Sequence, residues 1–136
     1  MGNFSCFVTL VNNTSYDLTL AGSTADNGSF SLLPQEIPAG QTGTIELDDP
    51  PIIPEGSQGS CLYQVGGQQV FVNMSFSDPY SGSNTASGYI SGSGPVNEVS
   101  LSFEGASENP SGWQPGGVPS GGHPVFVNYT LQQTST

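Results

Sequence analysis

The sequence predicts a single all-β domain folded as an antiparallel β-sandwich with short strands. Two observations predict this fold. Apolar and polar residues alternate in short runs from one end of the 136-residue chain to the other, which is the pattern of half-buried strands. Nineteen glycines and eleven prolines interrupt these runs too often for long helices. We therefore expect one domain over residues 1–136.

Seven runs show the period-two alternation. The residues that share one face in each run are, in chain order, Phe4, Cys6, Val8 and Leu10; Tyr16, Leu18 and Leu20; Ile45 and Leu47; Cys61, Tyr63 and Val65; Val70, Val72, Met74 and Phe76; Val99, Leu101 and Phe103; and Val125, Val127, Tyr129 and Leu131. Turn clusters such as Asn12-Asn13 and Gly66-Gly67 separate the runs. Short strands this close in sequence are typical of a sandwich or a barrel.

One Gly/Pro-rich segment, residues 105–122, interrupts the strand pattern and contains Trp113, the single tryptophan. It is too long for a hairpin turn, so we expect a surface loop, and loops of this length are usually functional or mobile. Trp113 either pins the loop against the sandwich or anchors a contact with another molecule, which makes it a candidate assembly contact.

The charge composition excludes several functions. The chain has no Lys or Arg, eleven Asp plus Glu, and a formal net charge of −11. Nucleic-acid binding and strong binding to anionic membranes both need cationic side chains. Schiff-base chemistry and Lys or Arg phosphate clamps have no residues to act with. Partners that are polyanions are therefore not expected.

The sequence does not predict an enzyme. His123 is the only histidine, and no G-x-S-x-G nucleophile motif occurs. Glu46, Asp48 and Asp49 near Glu55 form a weak cluster of metal-ligand types, but no loop with calcium-site spacing is present. We predict no catalytic residues, no metal site and no cofactor.

Cys6 and Cys61 are open to three interpretations: buried thiols, an internal disulfide, or links between chains. Both are in phase with apolar strand faces, which favours an inward location, whereas an edge strand would favour links between chains. We hypothesise that they join neighbouring chains in an assembly. The first residues show no basic, cleavable signal peptide, and no apolar run is long enough to span a membrane.

Residues 31–84 carry the features of a known family. Leu33-Pro34 is followed by Ile37-Pro38-Ala39-Gly40, and later by the run from Val70 to Phe76 that leads into Ser77-Asp78-Pro79-Tyr80 and Asn84. These features resemble the actinoporin-like, or cytolysin/lectin, β-sandwiches. The resemblance implies an actinoporin-like sandwich fold for the chain.

The same resemblance implies a ligand-binding site. In the pore-forming members, the Ser and Pro of the motif line a phosphocholine pocket, which corresponds here to Ser77 and Pro79, with Tyr80 beside them. The aromatic residues that should follow are replaced by Thr85 and Ala86. The alternative function is therefore a carbohydrate- or lipid-headgroup-binding module that uses Ser77, Pro79 and Tyr80.

The composition is similar to that of the octins, fungal proteins that pack into dense crystals in vacuoles and act as gravity-sensing bodies. Near pH 4–5, Asp and Glu approach their ordinary pKa values of about 3.9 and 4.3, so repulsion between copies weakens. A self-assembling structural protein in a vacuole or another acidic compartment, with the chain itself as partner, is the leading prediction.

Overall fold

The computed structural model describes residues 3–51, 55–95 and 98–134, and these residues form eleven β-strands. The strands are β1 (Cys6–Asn13), β2 (Leu18–Asn27), β3 (Ser29–Leu32), β4 (Glu36–Ile37), β5 (Thr42–Asp48), β6 (Gly56–Val65), β7 (Val70–Pro79), β8 (Thr85–Gly92), β9 (Val99–Ser107), β10 (Gln114–Pro115) and β11 (Val125–Gln133). The predicted all-β fold is confirmed. In the described part of the chain, no helix is long and apolar enough to cross a membrane.

The strands form two sheets. One has the order β10-β9-β11-β1-β5-β3 and the other β4-β2-β6-β7-β8. Neighbouring strands are antiparallel except β1 and β11, which run parallel with Cys6 opposite Val125. The predicted antiparallel sandwich is confirmed, and this pair is the one parallel exception among the described strands. Hairpin connections make neighbours antiparallel, whereas the whole chain separates β1 from β11, so no short turn constrains their direction.

The core lies between the sheets and is built from the alternating inward faces. In β1, Cys6, Val8 and Leu10 are buried, as the alternation predicts. The largest fully buried side chains are Tyr63, Tyr129, Phe76, Leu10, Leu18, Ile37, Ile45, Leu47, Met74, Leu131, Val8 and Val65. Tyr63 donates its hydroxyl hydrogen to the Pro34 carbonyl at 2.7 Å. Such a bond removes the cost of burying that polar group.

Both cysteines belong to this core as free thiols, so the expectation of a disulfide is not supported. Cys6 is fully buried and Cys61 is 2% exposed. Burial raises the pKa of each thiol to about 12. A thiol reacts as its thiolate, so a link between chains through either sulfur would require the sandwich to open.

The segment 105–122 is shorter as a loop than the sequence suggests. Gly105 and the two residues after it belong to β9, and β10 returns alongside with Gln114 opposite Gly105. A Cβ at Gly105 would lie 2.4 Å from the Gly117 carbonyl oxygen, so glycine permits this close return. Trp113 is half-buried immediately before β10.

Candidate functional site

The motif at 77–80 lies at one end of the sandwich, where β7 ends. Inward side chains of β7 alternate up to Phe76, and then Ser77 and Asp78 are both buried. β6 begins beside them at Gly56, which has a φ of 82°. A Cβ at Gly56 would lie 2.5 Å from the Asp78 carbonyl oxygen. Glycine therefore lets β6 approach the motif closely.

The three motif residues predicted to bind a ligand are adjacent but differ in exposure. Ser77 is 6% exposed, and its hydroxyl is 2.6 Å from that of Thr85. Pro79 is half-buried, and Tyr80 is 58% exposed. Tyr80 is therefore the motif side chain that a ligand could reach, while Ser77 fixes the start of β8 relative to the end of β7.

One residue of the motif, Asp78, has a buried carboxyl that pairs with a histidine. The Asp78 side chain is fully buried and its Oδ1 contacts Nδ1 of His123, whose side chain is 28% exposed. Burial raises the pKa of Asp78 to about 6, and the hydrogen bond and positive charge of His123 oppose this shift, while the nearby Asp49 carboxylate adds to it. The second oxygen, Oδ2, has no hydrogen-bond partner among the described residues.

The rings of Phe4, Tyr80 and His123 form an aromatic cluster next to Asp78. Phe4 lies between the other two, with its ring centroid 4.1 Å from that of His123 and 5.3 Å from that of Tyr80. Both contacts are tilted, with interplanar angles of 53° and 57°. Rings packed in this way hold one another in position. Tyr80 therefore packs on Phe4 although more than half of its side chain is exposed.

Phe4 is itself held by the core. Ser57 donates its hydroxyl hydrogen to the Phe4 carbonyl at 2.7 Å, and the Cys6 sulfur lies 3.3 Å from the same Ser57 oxygen. Ser5 accepts the backbone N–H of Asp49 at 3.0 Å. The first described residues are therefore attached to the start of β6 and to Asp49, which follows β5.

Asn84 attaches the Gly/Pro-rich loop to the site. Its side-chain amide donates to the carbonyls of Pro119 at 3.1 Å and Gly122 at 2.9 Å, and its backbone N–H donates to Ser120 at 3.0 Å. This places His123, which follows the loop, beside Asp78. The side-chain Oδ1 of Asn84 is buried and has no hydrogen-bond partner within the described ranges.

Two grooves lie elsewhere on the surface. One of about 390 Å³ is formed by segment 31–38 and β5, and one of about 310 Å³ is formed by β9, β10 and β11 on an outer sheet face. Ser77, Pro79 and Tyr80 line neither groove. In the described residues, no three His, Cys, Asp or Glu side chains are placed to hold a metal ion.

The sequence predicted the motif residues but not the partners that complete the site. The sequence predicts that Phe4 faces inward with β1, and it does not indicate which carboxyl His123 contacts. Their contact with Tyr80 and Asp78 depends on the parallel pairing of β1 with β11, which brings both strand starts to the same end of the sandwich. His123, as the only histidine, was the one signal that could have drawn attention to the pair.

No protein-family model matches this sequence, and a search of curated proteins finds no similar sequence. Solved structures do match. The lipid-binding protein Nakanori aligns with a TM-score of 0.69 and 13% identity, over 98% of this chain and 72% of that one. IP-1A from Alcaligenes faecalis aligns with a TM-score of 0.64 and 14% identity, over 96% and 91% of the two chains.

A third structure, the RahU protein in complex with a TRIS molecule, aligns with a TM-score of 0.61 and 18% identity, over 97% of this chain and 96% of that one. These identities establish similarity of fold alone. The match is consistent with the actinoporin-like sandwich that the sequence predicts, and it does not bear on the octin resemblance. This chain therefore has the small β-sandwich fold that Nakanori, IP-1A and RahU share.

Proposed function

We propose that this protein is a binding module for a zwitterionic lipid headgroup, and that Tyr80 provides the main contact. The observation that carries the proposal is the exposure of Tyr80, 58%, while its ring packs on Phe4. An aromatic face held at the surface attracts a quaternary ammonium group such as choline. The lipid-binding description of Nakanori supports the same class of ligand.

The charge of the chain supports a zwitterionic rather than an anionic headgroup. Its net charge is −11 and it has no Lys or Arg to contact a phosphate. Anionic lipids would be repelled, whereas a choline group carries its positive charge outermost. Among the described residues, no hydroxyl or thiol hydrogen-bonds to the His123 ring, so we propose binding rather than catalysis.

The experiment compares vesicle binding by Tyr80→Ala and Tyr89→Ala. Tyr89 is a matched control because its side chain is 60% exposed and lies on β8, away from the motif. We expect the wild type and Tyr89→Ala to bind phosphatidylcholine or sphingomyelin vesicles equally, and Tyr80→Ala to lose binding. Equal binding by all three proteins would exclude Tyr80, and binding to a glycan array without vesicle binding would favour a carbohydrate ligand.

A second candidate is self-assembly in an acidic compartment such as a vacuole. The observation that favours it is the distribution of charge on the surface. Asp17, Asp26, Glu36, Glu55 and Glu108 are exposed, and no Lys or Arg in the sequence opposes them. Acid would neutralise these carboxylates and leave a hydrogen-bonding surface with little repulsion between copies.

A further inference from the structure

The two sheets end in four edge strands, and β8 differs from the other three. β10 and β4 have two residues each and β3 has four. β10 also contains Pro115 and β4 contains Glu36. Proteins commonly protect sheet edges with short strands, prolines or charges. β8 has eight residues, Thr85–Gly92, and contains neither a proline nor a charged residue.

The register of β8 determines which backbone groups face its free edge. Ser93 donates its N–H to the Gln69 carbonyl at 2.9 Å, and this pair continues the β7–β8 register in which Gly92 is opposite Val70. Hydrogen-bonded pairs alternate along an antiparallel ladder. The odd-numbered residues of β8 therefore direct their backbone groups toward β7.

It follows that Ala86, Gly88 and Ile90 direct their N–H and C=O groups away from β7. In agreement, the Tyr129 hydroxyl donates to the Ser87 carbonyl on β8 at 2.7 Å and to the Ser75 carbonyl on β7 at 3.2 Å, so the Ser87 carbonyl faces β7. Among the described residues, no hydrogen bond outside the β7 ladder involves Ala86, Gly88 or Ile90. The backbone N–H and C=O groups of these three alternate residues are thus available to pair with another strand.

We propose that β8 pairs with β8 of a second copy, antiparallel and about a twofold axis at Gly88, so that two five-stranded sheets join. Ala86 would then lie opposite Ile90 of the second copy, and Ser87 opposite its Tyr89. A contact of this kind is self-complementary, as a twofold interface requires.

The charge of the chain indicates why the strand that pairs with β8 belongs to a second copy of the protein. Two copies of a protein with net charge −11 can approach only where carboxylates are absent, because no cation compensates them. β8 meets this condition over its whole length. A basic partner would instead be attracted to strands that carry acids.

The test uses two substitutions that add the same charge to the same outer face. Ser87→Asp places a carboxylate on the edge strand, and Ser75→Asp places one on β7, at the residue directly opposite Ser87. Both serines are exposed. In the dimer the two introduced carboxylates would be diagonal neighbours across the new strand pair, about 7–8 Å apart, with no Lys or Arg to compensate them, so only the β8 variant should weaken the dimer.

Analytical ultracentrifugation over a concentration series measures the molecular mass of each protein in solution. We expect the wild type and Ser75→Asp to reach twice the 14.0 kDa mass of the chain, and Ser87→Asp to remain monomeric at the same concentrations. Ala86→Pro should also be monomeric, because it removes an N–H that faces the free edge and leaves the β7 ladder intact. Near-ultraviolet circular dichroism checks that each variant is folded.

Amide hydrogen exchange provides a local readout, with Gly88 and Ile90 expected to exchange more slowly in the wild type than in Ser87→Asp. A wild type that is monomeric at every concentration would overturn the proposal, as would a dimer that neither β8 substitution weakens. The proposal deepens the self-assembly candidate but is separable from it. A dimer that never grows larger supports β8 pairing and excludes an array, whereas large particles formed equally by Ser87→Asp exclude β8 pairing and retain the array.

Discussion

Replacing Asp78 with asparagine removes the one buried carboxyl among the described residues and should change how stability depends on pH. Burial raises the pKa of Asp78 from 3.8 to about 6 in the folded protein. The folded state therefore binds this proton more tightly than the unfolded state. The resulting stabilisation is fully present below pH 3.8 and is lost as the pH rises through about 6.

The size of this effect follows from the two pKa values. Each pKa unit corresponds to about 1.4 kcal/mol, so the difference between 3.8 and about 6 corresponds to about 3 kcal/mol. Asparagine has nearly the shape of a protonated aspartic acid, and its carbonyl can accept from His123 Nδ1. We expect Asp78→Asn to match the wild type near pH 4 and to exceed its unfolding free energy by up to about 3 kcal/mol near pH 7.

Urea unfolding followed by the fluorescence of Trp113 measures this difference at a series of pH values. Asp26→Asn serves as the control, because Asp26 is exposed and its replacement removes the same charge. The difference in stability between Asp78→Asn and the control should grow as the pH is raised from about 4 to about 6 and should level off above that. Parallel pH profiles for the two variants, or an Asp78→Asn protein that is less stable at neutral pH, would refute the account of a destabilised buried carboxylate.

Three further predictions concern the thiols, the loop and the surface charge. Cys6 and Cys61 are buried and their thiol pKa values are about 12, so iodoacetamide should label neither cysteine in the folded protein and both in urea. Disulfide-linked ladders on a non-reducing gel of thiol-blocked protein would contradict this. Asn84→Ala removes two hydrogen bonds to the loop, so it should lower the unfolding free energy by about 1–3 kcal/mol and speed chymotrypsin cleavage at Trp113, while Asn109→Ala, at an exposed loop residue, should do neither. If the protein forms arrays, light scattering should increase at mildly acid pH and decrease as the carboxylates ionise, and added salt should restore part of it. Particles that dissolve in acid and grow in alkali would show that carboxylate repulsion does not control assembly.

The alternation of side chains predicted much of the fold because inward residues of a sandwich repeat every second position. β7 shows this best, since Val70, Val72 and Met74 are all buried. β8 was missed because its outward residues are mostly small and polar, and its inward ones include Gly88. A Cβ at Gly88 would lie 2.8 Å from the Tyr129 ring, so the core itself requires glycine there and removes the apolar signal.

Tertiary pairing explains what the sequence could not indicate about the site. Ser77 and Asp78 are successive residues that are both buried, which a strict alternation does not allow. Asp78 is accommodated because His123 arrives from a segment 45 residues away, and no local pattern encodes that contact. The exposed Tyr80 was predicted as a ligand contact through the family motif, but its support by Phe4 depends on the three-dimensional fold.

The most direct test of the proposed function is a map of amide chemical shifts in labelled protein during titration with phosphocholine. If the headgroup binds at the end of the sandwich, the largest changes should occur at Phe4, Tyr80 and His123, which lie in ring contact with one another. They should saturate together with one dissociation constant. Changes confined to the groove beside β5, or no saturable change at any residue, would contradict the assignment of this site.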